Sequence, residues 1–403
     1  MKKKNLDFCK LLSIIISIAL ICTGFVTPFQ ANAVTETETD GITHWSGVVA
    51  EIPVGKDNPY KSGNGTRDDP YVIANGEQLA YLTTTVTYNN TNNKYYKLAN
   101  DIYLNDITED NWYGVNENLK TWMFKDSENE YFAGNFNGAG HTIYGLYISG
   151  NNKHGALFGA VGGGAVIENL RISKAYISST DGDQFAYFSA LAAFRNGRDT
   201  FTVRNCVVDD TVQIRAENAS VGSFIGYMAP TKNATIIENC YSGAKISKKP
   251  TWVNESQGCM FVGGRSTNAS SEVKIKNSYA IGDFKLALSS DTAKPTITNS
   301  YTTYSGSNET GAIVLTEAQM SGAAAKKNMN LLDYRNIWCV ETDKTPMLRI
   351  FCDNLWNVWS GTVAEELSFG SGTKDDPYLI TNGEELAYLT TTVTYNNTNN
   401  KYY

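Results

Sequence analysis

The chain has 403 residues, 34 Lys plus Arg against 41 Asp plus Glu, a net charge of −7 and only 19% charged residues. An acidic chain with no basic block is a poor match for nucleic acid or anionic lipid, and 42% hydrophobic residues with 24 Tyr and 16 Phe argue against disorder. Abundant Asn, Thr, Ser and Gly point instead to β-structure with many turns.

At the N-terminus, Lys2, Lys3, Lys4 and Lys10 precede an apolar run from Leu11 to Val26 and the small-x-small triplet Ala31-Asn32-Ala33. This pattern predicts a secretory signal peptide over 1–33, cleaved after Ala33. The run is short for a membrane span, and no later segment is long and apolar enough to be one. Cleavage removes four lysines and one aspartate, moving the net charge from −7 to −10. Of seven cysteines, five stay: Cys206, Cys240, Cys259, Cys339 and Cys352, none at a CxxC spacing. An odd number in a secreted chain leaves at least one free thiol or an intermolecular bond.

Residues 34–62 read as a linker and 63–130 as an N-terminal cap region. Within the latter, Gly63-Asn64-Gly65-Thr66 is a turn, Tyr71-Val72-Ile73 a short strand, and Asn75-Gly76-Glu77-Gln78 a capping-box-like start to a helix near Glu77–Thr85. A helix laid across a first coil would hide its open edge.

From Val166 onward a phrase recurs: VIENL, VRNCV, IIENCY, IKNSY and ITNSY, with Asn169, Asn205, Asn239, Asn277 and Asn299 spaced by 36, 34, 38 and 22 residues. Each phrase alternates apolar and polar residues, as a strand with one buried face does. Glycine-bounded apolar pieces (Gly155–Gly159, Gly222–Gly226, Cys259–Gly264) supply a second strand per repeat. A repeat of this length predicts an all-β solenoid whose coils stack about 4.8 Å apart. The five Asn would form an internal amide ladder. Leu170, Cys206, Cys240, Ser278 and Ser300 would share one column, so Cys206 and Cys240 are expected to be buried thiols rather than a disulfide.

Residues 311–352 read as a closing region, with a helix start at Leu315–Met320 and a strand around Trp338 and Pro346-Met347-Leu348; 353–371 is a second linker. Residues 372–403 then restart the unit. Gly372–Tyr378 repeats Gly65–Tyr71 with one Arg-to-Lys change, Leu386–Tyr403 repeats Leu79–Tyr96 without change, and Trp359-Ser360-Gly361 echoes Trp45-Ser46-Gly47. The offset is 307 residues. The expectation is the front of a longer tandem array, ending inside a near-identical repeat.

The segment Phe132-Ala133-Gly134-Asn135-Phe136-Asn137-Gly138-Ala139-Gly140-His141-Thr142-Ile143-Tyr144-Gly145-Leu146 resembles the FxGxFDGxGHxIxGL signature of bacterial surface proteins with GLUG motifs, and the later LFG/FIG and Asn-Cys-Tyr phrases are similar to GLUG coils. The resemblance spans roughly Gly63–Ile350, with coils over 131–310, and departs at Asn137, where the signature has Asp. It implies a right-handed parallel β-helix with a short N-terminal capping helix, in secreted and often adhesive proteins. Some GLUG proteins are immunoglobulin A1-protease-type metallopeptidases, but their HExxH helix is absent from this sequence.

The residues that could carry chemistry are few. Of the histidines, His44, His141 and His154, the second sits in the signature turn and reads as structural. β-Helical pectin-cleaving enzymes cluster Asp with Arg or calcium. The counterparts to weigh here are Asp181, Asp183, Asp209 and Asp210, with Arg195, Arg198, Arg204 and Arg215. An acid–base pair must face across a substrate; Asp209 and Asp210 are adjacent and on a strand would point to opposite faces. Asp68-Asp69 and Asp375-Asp376 lack calcium-loop spacing. Gly162-Gly163-Gly164 lacks the Lys and Ser/Thr of a phosphate loop. Tyr88, Tyr95, Tyr96, Tyr103 and Tyr113 cluster in the cap region and could stack on sugars, anchor a protein or pad the cap.

The expectation is a secreted, extracellular or cell-surface bacterial repeat protein that binds a glycan or a host or matrix protein, with no catalytic residue, cofactor or metal site. The alternatives are a polysaccharide lyase or glycoside hydrolase on the same fold, and a structural stalk.

Overall fold

A computed structural model describes residues 42–106, 114, 116–180, 186–197, 199–216, 219–229, 233–247, 258–265, 272–288, 294–306 and 311–352, and then 363–367, 370–374, 377–378, 380, 383–392, 394 and 399–403. The signal segment, Tyr113, Asp181, Asp183, Arg198, the Trp359-Ser360-Gly361 echo and Asp375-Asp376 lie outside the described residues.

The recurrent phrases are strands, and their alternation is what stacks them. Ile167, Val203, Ile237, Ile275 and Ile297 align in one column. Each is at most 7% exposed. The next residue out carries Glu168, Arg204, Glu238 and Lys276 in the same register, and Arg204 Nε donates to Glu168 Oε2 at 2.6 Å. Alternating charge opposite alternating charge penalises a one-residue slip, because a slip would also turn every isoleucine to solvent.

These strands belong to an eight-stranded parallel sheet in chain order from Tyr71–Ile73 through Asn135–Asn137 to Thr296–Thr298. A second eight-stranded parallel sheet runs from Ile102–Tyr103 to Ala312–Val314, also in chain order. Three shorter parallel sheets complete the period: one from Tyr147–Ile148 to Lys245–Ser247, one from His154–Gly155 to Ser220–Val221, and one from Phe158–Val161 to Val262–Arg265. Each sheet takes one strand per sequence period, so the fold is all-β, with parallel strands in long stacked sheets and few helices. The two-residue strands, such as Val207–Val208, are too short for sequence periodicity to reveal.

The structure corrects the place of the asparagines. The first-sheet strands stop one residue before them, and Asn169, Asn205, Asn239, Asn277 and Asn299 turn the chain with φ of 55, 52, 52, 48 and 49°. Asn tolerates this left-handed conformation better than other side chains with a Cβ. The amides form the ladder in two runs: Asn205 Nδ2 donates to Asn169 Oδ1 at 3.0 Å and Asn239 to Asn205 at 3.1 Å, and separately Asn299 donates to Asn277 at 3.2 Å. It extends one step toward the N-terminus, Asn169 donating to Asn137 Oδ1 at 3.1 Å, so the signature's departure residue is a ladder member. The ladder is half-buried at a corner, with Asn299 exposed, rather than internal as the sequence had suggested.

The residues after the asparagines do fill a buried column. Cys206 Sγ reaches Arg204 O at 3.3 Å, Cys240 Sγ Glu238 O at 3.3 Å, Ser278 Oγ Lys276 O at 2.6 Å and Ser300 Oγ Thr298 O at 2.8 Å. At these four corners a small side chain with one proton to donate meets the last strand carbonyl, which is why Cys and Ser interchange there; Leu170 fills the first place in the column by size alone. Cys206 and Cys240 are free buried thiols. Burial, and then contact with Cys206, pushes the Cys240 thiol well above its ordinary range. Cys339 and Cys352 form a disulfide.

Helix α1, Gly76–Thr85, begins one residue earlier than expected, with Asn75 Oδ1 accepting from Gln78 N at 2.9 Å. Gln78 Oε1 accepts from Ala74 N at 2.8 Å, one residue before the position a capping box would use. Its Leu79, Ala80 and Leu82 join Ile73, Leu98 and Phe136 in one buried core. A one-turn helix, α2 (Tyr88–Thr91), follows and closes its own capping box through Thr87 and Asn90.

Of the 311–352 segment expected to close the stack, Ala312–Val314 is the last strand of the second sheet, and the residues from Leu315 onward lie on the flank. Val207, Tyr241, Tyr279 and Tyr301 stand in register on the second sheet. Their neighbours Val208 and Ala280 face the main core, whereas these four pack against Met320, Met329, Leu332, Trp338 and Leu348. That covering element holds a 3-10 turn, Glu317–Met320, helix α3, Gly322–Asn328, and an antiparallel pair, Trp338–Cys339 with Met347–Leu348. The second copy of the N-terminal segment repeats the first locally. Its helix α4 spans Gly383–Thr392, and Gly370 (φ 84°) matches Gly63 (φ 91°). An added Cβ at either glycine would lie 1.9 Å from a proline carbonyl oxygen, so neither position accepts a side chain.

Candidate functional site

Most of the charged candidates are committed to the scaffold. Asp209 is 2% exposed. Its Oδ2 accepts from Arg171 Nε at 3.0 Å and Nη2 at 2.7 Å, and its Oδ1 from Thr211 N at 3.0 Å and from Thr211 Oγ1. Asp209 and Asp210 lie in the turn after Val207–Val208, not on a strand, and Asp210 is exposed while Asp209 is buried. The two carboxylates are thus kept apart, as their adjacency implied, by a turn rather than by strand alternation.

Arg195 is fully buried and donates from Nη1 to Gly197 O at 2.6 Å and from Nη2 to Asp199 O at 2.5 Å, tying down its own corner. Burial lowers its pKa to about 10, partly offset by Asp199. Arg204 is held by Glu168. His141 Nδ1 meets Asp101 Oδ1 at 3.2 Å, and the same oxygen accepts from Thr142 N at 2.9 Å, which pins the signature turn to the preceding strand. His154 pairs with Asp126 and stacks on Tyr187 with centroids 5.0 Å apart. The Asp69 backbone closes its own turn, its carbonyl accepting from Asn64 N and Gly65 N and its amide donating to Thr66 Oγ1, and the residue is exposed. Among the described residues no three His, Cys, Asp or Glu gather as a metal site would require.

What stays outward is aromatic and basic. Tyr103 and Tyr144, each half-buried, stack with centroids 4.8 Å apart and ring planes 11° apart. One strand further, Tyr147 and Tyr176 are buried, 4% and 5% exposed, and stack beneath the surface at 6.0 Å, with the exposed Arg215 guanidinium 6.0 Å from the Tyr176 centroid. These rings come from successive coils because parallel register puts Tyr176 beside Tyr147 and Ile143 beside Ile102. Asn105, Leu119, Gly145, Leu146 and Lys174 pack around Tyr147 and Tyr176 and leave no room between them for even a water molecule. Asn105 ties this packing together, donating to Gly145 O at 2.9 Å and Lys120 O at 3.0 Å and accepting from Lys120 N at 2.7 Å. Any ligand would therefore rest on the surface of this face and not enter it.

Of the cap-region tyrosines, Tyr103 belongs to this face. Tyr96 is padding, buried with Tyr60 and Tyr71, and Tyr88 leans on Tyr131 at 5.7 Å. Sequence reasoning missed Tyr144, Tyr147 and Tyr176. Tyr144 and Tyr147 stand in the signature itself and its next strand, but nothing in one sequence tells that they face the same way as Tyr176, a full coil later.

No family model matches the chain. It is 32% identical over 167 residues to Halomucin of Haloquadratum walsbyi, a match covering 41% of this chain and 2% of that protein, so the chain spans only a small fraction of its length. Among solved structures it is similar to a Bacteroides ovatus protein provisionally described as an immunoglobulin A1 protease, at 17% identity and a TM-score of 0.42, over 72% of this chain and 95% of that one.

Proposed function

We propose that the chain is a secreted bacterial surface protein of the GLUG type, whose coils wind as a right-handed parallel β-helix and whose outward face binds a glycan or an extracellular protein without cleaving it. The observation that carries this reading is the half-buried Tyr103–Tyr144 stack, packed on the buried Tyr147–Tyr176 pair beside which the exposed Arg215 lies. Flat rings held rigidly at coil spacing offer sugar rings or a partner's side chains a low-entropy platform, and a guanidinium adds directional donors for hydroxyl or carboxylate groups. The engagement of Asp209 by Arg171 and Thr211 favours binding over hydrolysis, since a carboxylate so held is a poor general acid or base.

The mature chain is expected to retain glycans or matrix proteins on an array and to release no reducing sugar or unsaturated uronide from pectin or xylan, with or without calcium. Tyr144→Ala and Arg215→Ala should each weaken retention by about 3- to 30-fold, the range of one lost ring or cation contact. Turnover that disappears in Asp181→Asn or Asp183→Asn would establish the polysaccharide-cleaving alternative. Silence on both array and assay would leave the stalk.

A further inference from the structure

The two copies of the N-terminal segment are nearly identical in sequence but not in surroundings. From Leu79 to Tyr96 the first is repeated without change, yet Gln78 is replaced by Glu385. In the first copy Gln78 uses both ends of its amide, donating from Nε2 to Pro59 O at 2.8 Å and accepting from Ala74 N. The stretch bearing Pro59 also places Tyr60 over Tyr71, Tyr81 and Tyr96 with centroids at 4.9, 5.8 and 5.7 Å. That stretch is shortened in the second copy. Ala50 N donates to Glu77 O at 3.0 Å and Ala364 N to Glu384 O at 3.1 Å, which sets the two copies in register. From there Gly63 follows Glu51 by twelve positions, whereas Gly370 follows Glu365 by five, with no proline between.

Where the first copy has its own lid, the second meets the preceding unit. Glu385 is 1% exposed, and its Oε1 accepts from Lys326 Nζ at 3.4 Å. Lys326 stands on α3, in the element that covers the tyrosine column of the first unit. A carboxylate this buried is tolerated only with a charged or hydrogen-bonding partner. An amide at the same position could not supply the charge.

We infer that consecutive units of this chain dock on one another, the flank helix of one unit taking the place of the Pro59 lid on the next, with the Lys326–Glu385 pair setting the register. Gln then marks a unit that carries its own lid and Glu a unit that is lidded by its predecessor. The tandem units would form a continuous rod instead of beads on the 353–371 connector.

The test is hydrogen exchange on the full chain, comparing α4 with α1 as an internal reference. Lys326→Glu and Glu385→Lys should each lower protection of the α4 amides by about tenfold, the factor carried by one lost charge-assisted hydrogen bond, and leave α1 unchanged. The double reversal should restore it to within about threefold, since the pair and not either residue is the determinant. Unchanged protection in either single reversal overturns the docking, as does a double reversal no better than the singles.

Discussion

At the scale of single residues, each coil turns on an asparagine that serves two ends, and the two can be separated. Asn205→Leu removes the amide from the ladder and also forces a branched side chain to hold φ near 52°. Losing the half-exposed hydrogen bonds should cost about 1 kcal/mol, and the left-handed backbone about 1–2 kcal/mol more. Asn205→Gly removes only the ladder, because glycine holds positive φ without strain. Urea denaturation should therefore place the Leu variant about 2–3 kcal/mol below the wild type and the Gly variant about 1 kcal/mol below. Equal losses would mean that the ladder alone matters, and the corner conformation does not. The neighbouring column follows a similar rule: its Cys and Ser residues are chosen for size and one donatable proton, and the Cys240 thiol stays protonated because burial disfavours its charged form.

At the scale of elements, the flank segment is held by one large side chain. Trp338 is fully buried, packs against Tyr279 with centroids 5.4 Å apart and ring planes tilted by 57°, and lies in one cluster with Tyr241 and Tyr301. Tyr279 is anchored beneath it, its hydroxyl donating to Pro346 O. Trp338→Ala should destabilise this element by about 3–5 kcal/mol, as a large aromatic deleted from a packed site does. The loss should be local: amides of α3 should exchange rapidly, and those of the strands from Asn135 to Ala280 should keep their protection. A uniform loss along the coils would show that the flank element and the stack unfold as one unit. The contrast between α1 and α4 argues in the same direction, since an identical leucine is 0% exposed at Leu79, against the coils, and 50% exposed at Leu386. Helical sequence alone does not bury a face; the surface it lands on does.

At the scale of the whole molecule, the many tyrosines couple stability to alkaline pH. Burial, reinforced by neighbouring tyrosines, raises Tyr60 and Tyr96 above the usual phenol range. Burial also raises Tyr241, with Asp210 and Asp209 adding to it, and Tyr334, with Tyr301 adding to it. A group whose folded pKa is raised contributes stability that is complete below its unfolded value, about 10 for tyrosine, and declines as pH rises beyond it. The chain should lose stability steeply above about pH 10. Phenolate absorbance should rise in two stages, exposed tyrosines first and the buried set together with loss of the β-sheet circular dichroism signal. Titration of every tyrosine in one stage with the sheets intact would contradict the packing around Tyr60 and Tyr279.

The sequence by itself determined the all-β class, the phrase that builds each coil, the shared Leu170–Ser300 column and the restart at residue 372, because each is a local alternation or a literal repetition. The small side chain after the last four asparagines was legible for the same reason: Cys206, Cys240, Ser278 and Ser300 recur at successive corners, with Leu170 the larger first member of the column. Only the tertiary structure decided that the asparagines stand at half-exposed turns, that 315–352 covers a flank, and that half-buried Tyr103 and Tyr144, buried Tyr147 and Tyr176 and exposed Arg215 gather in one place. Which way a side chain points at a corner depends on a backbone sign that composition does not carry. Which residues meet across coils depends on a register set by pairing some 30 residues apart, a distance over which one sequence holds no contact information. The exchange of Gln78 for Glu385 is visible in the letters, but its meaning rests on Lys326, 59 residues away and brought near only by folding.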